Sequence, residues 1–156
     1  MAAKFVRAPN NLALIAAGIA LLLLATLGVR TAAANANHYR MPVVVLAGGA
    51  IENAILGAAL LFVTLRRSRF AGATAVIVAT IMTFNVVFGL VTPLAFGRSA
   101  RVTWWTAIYL AIAASIAGPS LFPWNPTANK PVLFWMGLTI AALVILFGSL
   151  ALLARL

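Results

Sequence analysis

One glutamate, one histidine and no aspartate or cysteine make up the whole stock of carboxylates, imidazoles and thiols in this 156-residue sequence. Without cysteine there is no disulfide, no thiolate ligand and no thiol nucleophile. A metal centre needs three or four ligands at once, and His38, in the polar stretch "ANANHYR", stands alone. It reads as a solvated loop residue. Ser99, Ser115, Ser120 and Ser149 have no histidine or lysine placed as a partner base, so a nucleophile–base pair is not assembled. Bis-histidine haem ligation is impossible with one histidine. These absences imply a protein that is not an enzyme and carries no cofactor.

The exception is Glu52, in "GGAIENAILG", a stretch that otherwise reads as lipid-soluble helix. A carboxylate is costly inside a membrane, and ionisable groups there commonly mark a path for a proton, a cation or a substrate amine. The plainer reading is that Glu52 hydrogen-bonds across helices and locks them together. The sequence leaves both readings open.

The elements that position Glu52 follow from composition. Hydrophobic residues make up 65% of the chain and charged residues 8%, with a mean hydropathy of +1.12. Soluble domains carry roughly 25% charged residues, so this chain cannot cover itself in water. A helix needs about 20 apolar residues to cross a bilayer core. Spans are expected at 12–29, 41–65, 70–96, 102–122 and 131–154. The expectation is one all-α integral membrane domain over 1–156, a bundle of about five transmembrane helices.

Pro9, Asn10 and Asn11 are suited to starting the first span. That span also resembles a signal peptide, with Lys4 and Arg7 ahead of it and an Ala34–Ala36 cleavage pattern behind. Its apolar run is longer than the usual signal core, so it is read as a span. The fourth segment is broken near its end by Gly118 and Pro119. The alternative is therefore four spans with a re-entrant or interfacial segment near 102–122. Trp104 and Trp124 stand 20 residues apart, about 30 Å of helix, and tryptophan favours the two interfaces. That spacing favours five spans. Phe84, Phe88 and Phe96 read as packing residues.

The second and third spans are joined by "RRSR" and should pair as an antiparallel hairpin. Glu52 and Thr83 each lie about 21 Å from that turn, Asn53 about 20 Å and Asn85 about 24 Å. Glu52, Asn53, Thr83 and Asn85 thus form a candidate buried polar or ion site at one depth. Thr83 and Asn85 are two residues apart and face different sides of their helix. Gly49, Asn53 and Gly57 fall four apart, and Ala50, Ala54 and Ala58 line the next row. Either row would let a second helix approach closely.

The net charge of +10 would suggest nucleic acid on a soluble fold. Here the basic residues sit at the ends of apolar runs, as interfacial anchors do, so no nucleic-acid partner is expected. Arg66, Arg67, Arg69, Arg98 and Arg101 are the candidate contacts to anionic lipid headgroups or partner subunits. With five spans and a cytoplasmic N-terminus, six basic residues fall inside and five outside. The bias is slight, though the dense "RRSR" turn agrees with it. The alanine-rich composition and short loops suggest a bacterial inner membrane. The function expected is an accessory or structural component that packs against other membrane subunits, a second copy of itself, or lipid. The alternative is a small proton- or cation-linked transporter or channel using Glu52.

Overall fold

The computed structural model describes residues 10–40, 42–95, 99, 102–121, 127 and 129–153. All regular structure among them is helical: α1 (Asn11–Tyr39), α2 (Val43–Leu46), α3 (Gly48–Leu65), α4 (Ala71–Ala95), α5 (Trp104–Leu121) and α6 (Lys130–Leu153). Four of these, α1, α3, α4 and α6, are long and apolar enough to cross a membrane. The protein is a helical integral membrane protein. α5 is shorter in its apolar run, Trp104–Pro119. The chain divides into two compact units, one holding α1–α3 and the other α4–α6.

In the first unit, the Asn10 side chain accepts a hydrogen bond from the Leu12 backbone N–H at 3.1 Å. This is the N-cap its residue type allows. α1 then runs for 29 residues, about 43 Å, well past the apolar run that ends at Val29. The polar loop expected at "ANANHYR" is therefore helix as far as Tyr39. The alanines of "TAAANANHY" have the highest helix propensity of any residue and carry the helix beyond the apolar run. His38 stands in the last turn of α1, where a basic group meets the negative end of the helix dipole.

The expected second span, 41–65, is interrupted. A single turn, α2, ends at Leu46, and α3 begins at Gly48 with Ala47 between them. The backbone hydrogen bonds Ala47 N–H to Val43 O (2.8 Å) and Ile51 N–H to Ala47 O (2.9 Å) flank the break. Paired small residues such as Gly48–Gly49 are a common place for a helix to bend.

α1 and α3 pack antiparallel, with Gly18 against Gly57 and Gly28 against Ala50. The buried stripe on α3 is Ala50, Asn53, Gly57, Leu60 and Thr64, and Leu56 is buried beside it. That stripe alternates steps of three and four, the repeat of a helix following a partner at a shallow angle. It corrects both rows expected from sequence. Asn53 and Gly57 come from one row and Ala50 from the other, while Gly49 meets nothing within 4 Å and Ala58 is exposed. Rows spaced strictly by four drift around a 3.6-residue helix, so neither stays on one partner.

α3 ends in a Schellman motif: Ser68 N–H donates to Val63 O (2.9 Å) and Arg67 N–H to Thr64 O (3.0 Å). Arg67 occupies the left-handed position, with φ 48°, and Arg40 at the end of α1 is also left-handed, with φ 51° and its N–H donated to Ala36 O. Glycine is the usual residue at such a position because a Cβ costs energy there. Arg67→Gly is expected to stabilise the isolated protein by about 1 kcal/mol. Thermal unfolding in mild detergent reads this, and an unchanged or lowered midpoint would count against the assigned backbone.

In the second unit, Val76 of α4 packs with Val132, Trp135 and Met136 of α6. Farther along, Phe84 and Phe88 meet Phe147, with ring centroids 5.6 and 5.0 Å apart. α4 and α6 therefore run parallel. The start of α5 lies beside Asn85–Leu90 of α4 and its later turns beside Val76–Thr83, so α5 runs antiparallel to both. Phe84 and Phe88 pack on each other at 5.9 Å, the packing role expected of them. Phe96 lies outside the described residues.

Candidate functional site

Glu52 is the fifth residue of α3, about 6 Å from the start of the helix at Gly48 and about 7 Å from its midpoint. Because α3 begins at Gly48 and not at Met41, the carboxyl stands in the second turn after the Ala47 break. It is half-buried. Asn53, one position later, is 7% exposed and belongs to the stripe that faces α1. Glu52 is turned about 100° from that stripe. Among the described residues no buried side-chain nitrogen or oxygen lacks a hydrogen-bond partner.

The four residues expected at one depth divide between the two units. Glu52 and Asn53 belong to the α1–α3 unit, and Thr83 and Asn85 to the α4–α6 unit. Thr83 donates its hydroxyl to Ala79 O at 2.8 Å and lines a groove among α4, α5 and α6. Asn85 lines a different and smaller cavity of about 290 Å³, with Gly89, Thr103, Trp105, Thr106 and Tyr109. A spacing of two residues puts them on separate faces of α4.

Arg66, Arg67 and Arg69 are all exposed. The Arg66 guanidinium lies 4.7 Å from the centre of the Phe62 ring, and that of Arg69 lies 5.0 Å from Phe70. Cation–π contacts of this kind are worth about 0.5–1 kcal/mol at an exposed site, and they hold positive charge against the apolar end of a helix. Arg98 and Arg101 lie outside the described residues.

The groove is the feature that residue types alone did not mark. It encloses about 490 Å³ and is lined by Val76, Ala79, Thr80, Thr83, Phe84 and Val87 of α4, by Leu110, Ala113, Ala114, Ala117 and Gly118 of α5, and by Val132, Met136 and Ile140 of α6. Small residues at 113, 114, 117 and 118 open it. Such a run usually permits close helix contact, so its sequence signature points to packing and not to a void. The polar atoms on its wall are already committed, Thr80 to Val76 O and Thr83 to Ala79 O, each at 2.8 Å.

No protein-family model, curated protein or solved structure matches this chain. Its chemistry must be read from its own side chains. Several other hydroxyls follow the same habit as the groove threonines. Thr64, Thr139 and Ser115 each donate to a carbonyl three or four residues back in their own helix, at 2.6, 2.8 and 2.8 Å. Bonds of this kind satisfy a hydroxyl within its own helix.

Proposed function

We propose that this protein is a multi-pass membrane component without enzymatic chemistry, which packs against partner subunits or lipid. The observation that carries this reading is the state of α6. It has the length and hydropathy of a span, yet only 11% of its apolar window is buried within the chain. Phe134, Leu138, Val144, Ile145 and Leu146 are exposed along it. A helix this apolar needs lipid or another protein against that face. The hydroxyls bonded to their own helices support the same reading, since they leave few polar groups to carry a solute.

In this reading α5 also crosses. Lying antiparallel between two parallel helices, it covers the depth of α4 from Val76 to Leu90, about 21 Å. Five crossings with the N-terminus inside put "RRSR" and Lys130 on the cytoplasmic side, in keeping with the excess of basic residues there. The membrane proposed is a bacterial inner membrane, on composition and short loops.

A second reading is favoured by the break at Ala47. A discontinuous span ending near an ionisable residue is a recurring feature of transporter sites, and Glu52 lies one turn beyond this break. Glu52→Gln separates the two. For an accessory component, proteoliposomes of wild type and variant conduct neither protons nor monovalent cations, and the same partners co-purify with both. A wild-type flux abolished by Glu52→Gln in a folded protein would overturn the accessory reading and assign the carboxyl to transport.

A further inference from the structure

The groove among α4, α5 and α6 has a length, a direction and a charged end. Along α4 it reaches from Val76 to Val87, about 16 Å, and along α6 from Val132 to Ile140, about 12 Å. A transmembrane partner helix would need a groove as long as the ~30 Å hydrocarbon core. This one matches half of that, the depth of a single leaflet. Its wall offers no free hydroxyl, because Thr80 and Thr83 are bonded to their own helix. It suits an unbranched hydrocarbon chain.

The two ends differ. At the deep end, Phe84 lines the groove and packs on Phe88 and Phe147. At the other end, Val132 lies two residues after Lys130, the exposed first residue of α6. The N-terminus of a helix carries positive partial charge, and Lys130 adds a full one at the same level. Trp135, packed against Val76 and Val132, marks that end as the interfacial one.

We propose that this groove holds one acyl chain of an anionic phospholipid, with the headgroup phosphate at Lys130 and the chain's methyl end toward Phe84. Basic pockets between spans that take anionic headgroups are an established form of lipid recognition. The proposal deepens the accessory reading by naming its lipid partner, and it rests on that reading only for the presence of a bilayer.

The test is native mass spectrometry of the full chain in mild detergent, titrated with phosphatidylglycerol or with phosphatidylcholine of the same acyl chains. One phosphatidylglycerol should be retained in preference to phosphatidylcholine by about five-fold, the contribution of a single lysine near a headgroup. Lys130→Gln should bring the two lipids level. Ala114→Trp should remove retention of both, since Ala114 lines the groove while being exposed, so that the fold tolerates a larger side chain there. Equal retention of the two lipids by wild type, or wild-type retention by Ala114→Trp, would overturn the proposal. So would a co-purifying protein released by Ala114→Trp, which would make the occupant a helix. A proton or cation flux in proteoliposomes defeats the accessory reading and leaves these retention ratios as they were, so the two failures are distinguishable.

Discussion

Gly57→Ala is expected to destabilise the protein by about 2–3 kcal/mol, near the upper end of what one overpacked methyl costs. A Cβ at Gly57 would stand 2.8 Å from the Gly18 carbonyl oxygen, 3.1 Å from Leu21 Cβ and 3.2 Å from Leu22 Cγ. The first of these is backbone in the facing helix and cannot swing aside, so α1 and α3 must separate. Gly18→Ala makes a graded control. Its new methyl would meet Leu61 Cγ at 2.7 Å, a side chain able to change rotamer, and Gly57 O at 3.1 Å; a loss of about 1 kcal/mol is expected. Gly49→Ala meets nothing within 4 Å and should stabilise α3 by about 0.5–1 kcal/mol through helix propensity alone. Unfolding in mild detergent, titrated with a denaturing detergent, orders the three. If Gly57→Ala and Gly49→Ala behave alike, the contact between α1 and α3 is not the one described.

That seam also marks the limit of what the sequence makes legible. Apolar runs between basic residues place α4, α5 and α6 to within about two residues of the expected spans, because the length of a span is set by the bilayer and its ends by charge. The partner of α3 is harder to read. Adjacency in the chain points to the third span through the "RRSR" turn and says nothing of α1, whose close contact with α3 rests on Gly18, Gly28, Ala50 and Gly57 together. Each of these small residues is visible alone, but their complementarity exists only when the two faces are aligned. The same holds for the site. Glu52 is conspicuous as the lone carboxylate, and Asn53 as its neighbour. Whether a depth shared with Thr83 and Asn85 means proximity depends on how helices associate, which residue type does not encode. The groove is the extreme case, because it is made by the side chains that Ala113, Ala114, Ala117 and Gly118 lack.

Leu21→Ala is expected to cost about 2 kcal/mol, below the 2.7–5.0 kcal/mol measured for leucine truncation in a water-soluble core. Leu21 is 0% exposed, and its Cβ lies against the face of Gly57. In water such a truncation loses both hydrophobic transfer and packing. In a bilayer the transfer part disappears, because lipid tails are as apolar as leucine, and only the cavity and its lost dispersion contacts remain. Leu23, two residues away and 60% exposed, supplies the comparison. Its truncation opens no cavity, and Leu23→Ala should lie within about 0.5 kcal/mol of wild type. Measured in detergent on the isolated chain, a neutral Leu21→Ala would contradict the close packing of α1. Repeated in native membranes the pair asks a functional question. If Leu23→Ala becomes costly only there, that face of α1 is covered by a partner subunit; if it stays neutral, the face is bathed in lipid. The accessory reading requires that some apolar face gain such a cost on assembly, and α6, with Ile145 68% exposed, is the next helix on which to seek it.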